Sequence, residues 1–108
     1  MLERIENVNE QVIEKMFLLY AESMADMERE FKDRDEMEAS YAAFLKEFIE
    51  NPKQMVFVET VEKQWVCGLR VVEPEPGKWF LEAVETRPGQ RNRGYGKKLI
   101  RHVTEFLK

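Results

Sequence analysis

The chain has 108 residues, with 44% hydrophobic and 11% aromatic side chains, five Gly and four Pro, and a formal net charge of -4. That is enough for one domain with a modest core, spanning 1–108, and it excludes disordered, collagen-like and repeat architectures. One cysteine (Cys67) and one histidine (His102) leave no disulfide framework and no Cys/His set for a zinc site, no apolar run reaches the ~20 residues of a membrane span, and the start of the chain lacks a signal-peptide pattern, so a cytoplasmic setting is expected.

In chain order, residues 2–7 read as a short edge strand, and Asn9 is placed to cap a helix. Its apolar residues Val12, Ile13, Met16, Phe17, Tyr20, Met24 and Met27 follow the 3-4 spacing of one buried face, which predicts a single helix running through to the polar stretch 29–34. Asp33 and Glu36 form a capping-box pattern before a second helix that carries Met37, Tyr41, Phe44, Leu45, Phe48 and Ile49 and stops at Asn51-Pro52. Methionines at helical spacing fill gaps in cores, so Met16, Met24, Met27 and Met37 are read as packing.

Three strand-like runs follow, 55–61, 65–72 and 78–86, separated by turns near Glu62-Lys63 and Pro74-Glu75-Pro76-Gly77. They predict an antiparallel meander. The middle run is nearly continuously apolar, as in a strand covered on both faces, and Gly68 within it marks a bulge or a close backbone approach. Cys67 reads as a small buried hydrophobe. Beyond Pro88-Gly89 a last helix carries Leu99, Ile100, Val103, Phe106 and Leu107 on one side, with His102 read as a solvated position. The resulting order, β-α-α-β-β-β-α, defines an α/β protein of the α+β type with a mostly antiparallel sheet.

The charge is unevenly spread. Residues 1–86 hold ten Lys/Arg against twenty Asp/Glu, whereas residues 87–104 hold six cations (Arg87, Arg91, Arg93, Lys97, Lys98, Arg101) and no acid. Several of these cations crowd the first turn of the last helix, where the macrodipole disfavours positive charge. A multiply charged anion seated among them offsets both the dipole and their mutual repulsion, and Gly94 and Gly96 remove side chains that would hold such an anion off the backbone. A nucleic-acid function is disfavoured by the net acidity and by the lack of basic residues elsewhere.

Three phosphate-binding patterns compete for residues 89–98. The P-loop fails because Tyr95-Gly96 stands where Lys-Ser/Thr is needed, and the dinucleotide fingerprint fails because Leu99 takes the third glycine position. The third pattern fits: strand 81–86, Arg87-Pro88, then Arg91-x-x-Gly94-x-Gly96 opening an amphipathic helix. This segment resembles the GNAT acetyltransferases, whose signature is a strand, a proline and Q/R-x-x-G-x-G/A before a helix, and the preceding elements resemble the family's N-terminal half.

The resemblance implies acetyl-CoA as cosubstrate and no metal. It implies pyrophosphate binding by the backbone of Arg91, Asn92, Arg93, Gly94, Tyr95, Gly96 and Lys97, and pantetheine running beside Val84, Glu85 and Thr86. It also implies direct acetyl transfer to a primary amine, with Glu82 and Glu85 as candidate general bases. In an unbroken strand these two project to opposite faces, so only one enters a given cleft. Many relatives use as general acid a tyrosine on a later helix, which this sequence does not contain. The alternative function is a non-catalytic CoA-binding or regulatory module of the same fold. The acid-rich first 86 residues suit a cationic acceptor. The last helix carries no stop signal before Lys108, so the chain is expected to lack the family's C-terminal strands and helix. Either it is a fragment or truncation with impaired turnover, or two chains pair through the exposed edge of strand 78–86.

Overall fold

A computed structural model describes residues 1–108. Its elements are β1 (Leu2–Arg4), α1 (Glu10–Leu19), α2 (Ala21–Glu28), α3 (Arg34–Glu50), β2 (Gln54–Val61), β3 (Gln64–Glu75), β4 (Lys78–Thr86) and α4 (Tyr95–Leu107). The strands form one antiparallel sheet in the order β1-β2-β3-β4, which bears out the α+β meander.

The caps act as the sequence predicts. Asn9 Oδ1 accepts from the Val12 N–H at 2.9 Å, and Asp33 Oδ1 accepts from the Glu36 N–H at 2.9 Å. Glu36 reaches back to the Lys32 N–H at 3.1 Å, one residue before the cap. Glu62 and Lys63, with φ of 50° and 67°, make the tight turn that matches the twist of β2 and β3.

Period-2 alternation divides the apolar residues between two faces of the sheet. Val56 and Val58 join Ile13, Met16, Phe17, Leu19, Met37 and Leu45 of the first three helices on one face. Met55, Phe57, Cys67, Leu69 and Val71 pack with Leu99 and Val103 of α4 on the other. The central strands therefore lie between two helical layers, which explains the apolar run in β3.

Two expectations require correction. The predicted first helix is two helices, broken at Tyr20, whose φ of -97° and ψ of 30° cap α1 and open α2. No Gly, Pro or polar run marks that break, because a tertiary contact causes it. A Cβ on Gly68 would lie 2.8 Å from both Leu19 Cδ2 and the Tyr20 hydroxyl, so the bare backbone of β3 is what admits the two side chains at the break. Gly68 is thus a close approach. His102 is also not simply solvated: its Nδ1 lies 2.7 Å from Oε1 of the fully buried Glu59, joining α4 to β2.

Candidate functional site

The site is built around an irregularity in β4. Gly68 pairs with Glu85 and Arg70 with Glu82, so three steps on β4 oppose two on β3. The extra residue lies at Ala83-Val84, and Ala83 adopts a left-handed φ of 54°. The bulge reverses the expected alternation. Gly68 and Arg70 face the same side of β3, so Glu82 and Glu85 share the face covered by α1–α3, in place of the opposite faces expected of an unbroken strand. The Tyr20 hydroxyl donates to the Ala83 carbonyl at 3.0 Å and ties the bulge to the helix break.

The two carboxylates have different surroundings. Glu82 is nearly half exposed and accepts from Arg70 Nε at 3.3 Å. Glu85 is less exposed; its Oε1 accepts from the Ser23 hydroxyl at 2.6 Å, while its Oε2 is buried without a partner. Burial holds the nearby Tyr20 hydroxyl far above its ordinary pKa and pushes Tyr41 up to about 12, so both stay protonated at neutral pH.

Two cavities meet at Glu85. On one side is an open cleft of about 790 Å³ whose lining includes Val84, Glu85, Thr86, Gly94, Gly96 and Lys97. On the other is a smaller, more enclosed pocket of about 230 Å³ beneath α1, α2 and α3, with Tyr20, Ser23, Arg70 and Glu85 among its walls. Val84 and Glu85 belong to both. The outer pocket gathers almost every cofactor residue the sequence singles out; Arg93 alone of that set is not in its wall. Sequence reasoning missed the inner one, because Tyr20, Ser23, Met24, Met27 and Arg70 converge only through the packing of α1–α3 on β3. The interrupting Gly68 was the one local signal of that approach.

At the open cleft, the segment before α4 turns through Gly89, Asn92 and Gly94, with φ of 88°, 66° and 77°. Gly94 is the helix cap and provides no side-chain cap bond. The first bond into the helix is Lys98 N–H to the Gly94 carbonyl, so the N–H groups of Tyr95, Gly96 and Lys97 have no intrahelical acceptor. A Cβ on Gly94 would meet nothing within 4 Å, and one on Gly96 only Thr86 Oγ1 at 4.0 Å. The space a side chain would fill is open at both glycines, next to free donors and exposed cations. The residues present fit the pyrophosphate of CoA.

The tertiary structure adds one acid to this basic segment. Glu22 on α2 accepts from Arg91 Nη2 at 2.5 Å, and that bond raises the guanidinium's pKa. Arg87, Arg93, Lys97, Lys98 and Arg101 take part in no ion pair. Cys67 is buried, accepts weakly from the Thr86 hydroxyl at 3.6 Å, and has its thiol pKa raised by burial, which is the opposite of an activated nucleophile.

A strand with a bulge at its centre thus leads into a helix start whose two glycines sit beside unpaired backbone donors, the arrangement expected of an acetyltransferase fold. The acetyltransferase (GNAT) family description matches residues 19–108, and the chain belongs to that family. It is similar in fold to an aminoglycoside 6'-N-acetyltransferase complexed with coenzyme A, with TM-score 0.69 and 16% identity over 99% of this chain and 54% of that one. It is also similar to a GNAT family acetyltransferase of Staphylococcus aureus subsp. aureus, with TM-score 0.70 and 16% identity over 99% of this chain and 76% of that one. A third, the paia N-acetyltransferase from Thermoplasma acidophilum in complex with coenzyme A, has TM-score 0.68 and 12% identity over 99% and 72%. The chain thus spans about half the length of the aminoglycoside enzyme. No curated protein sequence matches it significantly. No helix is long and apolar enough to cross a membrane.

Proposed function

We propose that this domain binds acetyl-CoA in the open cleft and directs its acetyl group to a primary amine seated in the inner pocket. The observation that carries the reading is the convergence of both cavities on Glu85, whose Oε2 is buried and unpartnered. The thioester supplies an activated acetyl group. The N–H groups of Tyr95, Gly96 and Lys97 hold the pyrophosphate, with Arg91, Asn92, Arg93 and Gly94 around it. Val84, Glu85 and Thr86 present main-chain groups to the pantetheine amides, as an edge strand does to an added strand.

Glu85 acts as general base in this reading. It takes a proton from the bound ammonium, the neutral amine nitrogen so formed bonds to the acetyl carbon as the carbon–sulfur bond breaks, and the departing thiolate gains a proton from water, whose hydroxide removes the second proton from nitrogen. Glu82 is the weaker candidate, since Arg70 already occupies it. No enzyme nucleophile is required, in keeping with the inert Cys67. A reducing, cytoplasmic setting suits both acetyl-CoA chemistry and a lone free thiol.

β4 is the outer strand of the sheet, and Phe80 on it is 56% exposed. Pairing of two chains along the part of that edge before the bulge, which leaves residues 84–86 to the pantetheine, is the oligomeric arrangement this reading carries, and sedimentation at micromolar concentration tests it. The functional test is titration with CoA while following the amide resonances of residues 91–97, together with release of free thiol from acetyl-CoA in the presence of amines. Shifts confined to residues 84–97 and amine-dependent thiol release are expected. Absence of the shifts overturns the binding site, and binding without turnover for any amine overturns the transfer step.

A further inference from the structure

Resting on the proposed transfer to an amine, we infer that the acceptor class is a small, singly charged primary amine with an apolar body, and that the inner pocket discriminates against polyamines and other multiply charged amines. Size comes first: about 230 Å³ lies below the roughly 300–1,000 Å³ of pockets for drug-sized ligands. The walls come second. Met16, Met24, Met27, Tyr41, Leu45 and Val56 surround the space, and their flexible thioethers and aliphatic groups mould to an alkyl or aryl chain. The only polar side chains in the wall besides Arg70 and Glu85 are the neutral hydroxyls of Tyr20, Ser23 and Tyr41, none of which supplies a charge to balance a second ammonium as it is desolvated.

Charge placement decides the selectivity. Glu85 contributes one carboxylate oxygen free of protein partners, which matches one ammonium. The other charged side chain in the pocket wall is Arg70. It rises from the same face of β3 as Gly68, the partner of Glu85, and so stands about 7–8 Å diagonally from it. Its guanidinium is held over the rings of Phe44 and Phe48, at 5.2 Å and 5.6 Å from their centroids, and its Nε is fixed by Glu82 at 3.3 Å. An amine bound at Glu85 extends its body into apolar surroundings flanked by a positive charge. A second ammonium on that body meets the guanidinium, and like charges brought together at a binding surface suppress the wrong ligand. The acid-rich exterior attracts any cation; the interior accepts only one charge.

The test is a matched titration of the 108-residue chain with n-butylamine, 2-phenylethylamine, 1,4-diaminobutane and spermidine. Affinity is read from 13C-methyl shifts of Met24 and Met27 and, with acetyl-CoA present, from relative kcat/KM. The monoamines are expected to bind at least about tenfold more tightly than the diamine and spermidine and to shift both methionines. Met27→Glu, at a wall position that is 40% exposed, is expected to raise affinity for 1,4-diaminobutane relative to n-butylamine, and Arg70→Met to do the same. Equal or tighter binding of the polyamines by the wild-type chain overturns the inference, as do unshifted methionines with 2-phenylethylamine. CoA titration of the same samples reads the cofactor cleft separately, so a failed acceptor class and a failed acetyl-CoA site give different results.

Discussion

The Tyr20 hydroxyl donates a hydrogen bond to the Ala83 carbonyl across 3.0 Å, joining the break between α1 and α2 to the residue that bulges β4. Tyr20 is able to reach Ala83 because Gly68, between them, has no side chain. That bond links the helix break to the bulge that turns Glu85 toward α1–α3.

Tyr20→Phe removes the donor and keeps the ring. A loss of about 1 kcal/mol is expected, equivalent to roughly 4–8 °C in Tm for a domain near 100 residues. Thermal unfolding measures it, and an unchanged Tm would show that the bond does not support the bulge.

Gly68→Ala places a methyl group where Leu19 and Tyr20 already lie. Overpacking of this kind costs about 1–3 kcal/mol. Urea unfolding is expected to show a lower midpoint with an unchanged slope; a variant as stable as the wild type would mean that α1 and α2 move freely over β3.

Gly96→Val leaves the apo protein folded, since its Cβ meets only Thr86 Oγ1 at 4.0 Å, but fills the space next to the free donors of α4. CoA at 100 times its Kd is expected to add about 2.7 kcal/mol of stability to the wild type. The same ligand concentration should leave the variant unshifted. A full shift in Gly96→Val would remove the phosphate site from this helix start.

Glu85→Gln keeps the shape and the Ser23 contact but removes the base. Turnover is expected to fall by about 10²–10⁴, with CoA affinity retained. Glu82→Gln serves as the comparison and should act mainly through Arg70. If the Glu82 variant lost the activity and the Glu85 variant kept it, the assignment would be reversed.

Cys67 and Tyr41 both have pKa values raised by burial, from 9.0 for the thiol and from 10.0 to about 12 for the phenol. The folded chain therefore holds these protons more tightly than the unfolded chain. The stability they contribute is complete below pH 9 and declines as pH rises beyond it, first through the thiol and then through the phenol. Urea midpoints should fall between pH 9 and 11, and Cys67→Ala should lessen the first part of that fall while leaving acetyl transfer intact. A midpoint that rose over this range would contradict both shifts.

Local and periodic signals in the chain determined the elements and one half of the site. The caps at Asn9 and Asp33, the apolar stripes, the two-sided apolar run of β3 and the Arg91-x-x-Gly94-x-Gly96 helix start all act within a few residues of themselves, so they are legible in one dimension. The folded molecule alone decided where the chain departs from those periods. The break at Tyr20 is set by a glycine 48 positions away, a distance along the sequence that no periodic signal spans. The bulge at Ala83 turned Glu82 and Glu85 onto one face, because a single extra residue inverts every side chain beyond it. Arg91 met Glu22, His102 met Glu59, and methionines with the spacing of a core became the walls of a pocket. Those outcomes depend on how helices seat on a sheet, and packing at that range is a property of the whole fold.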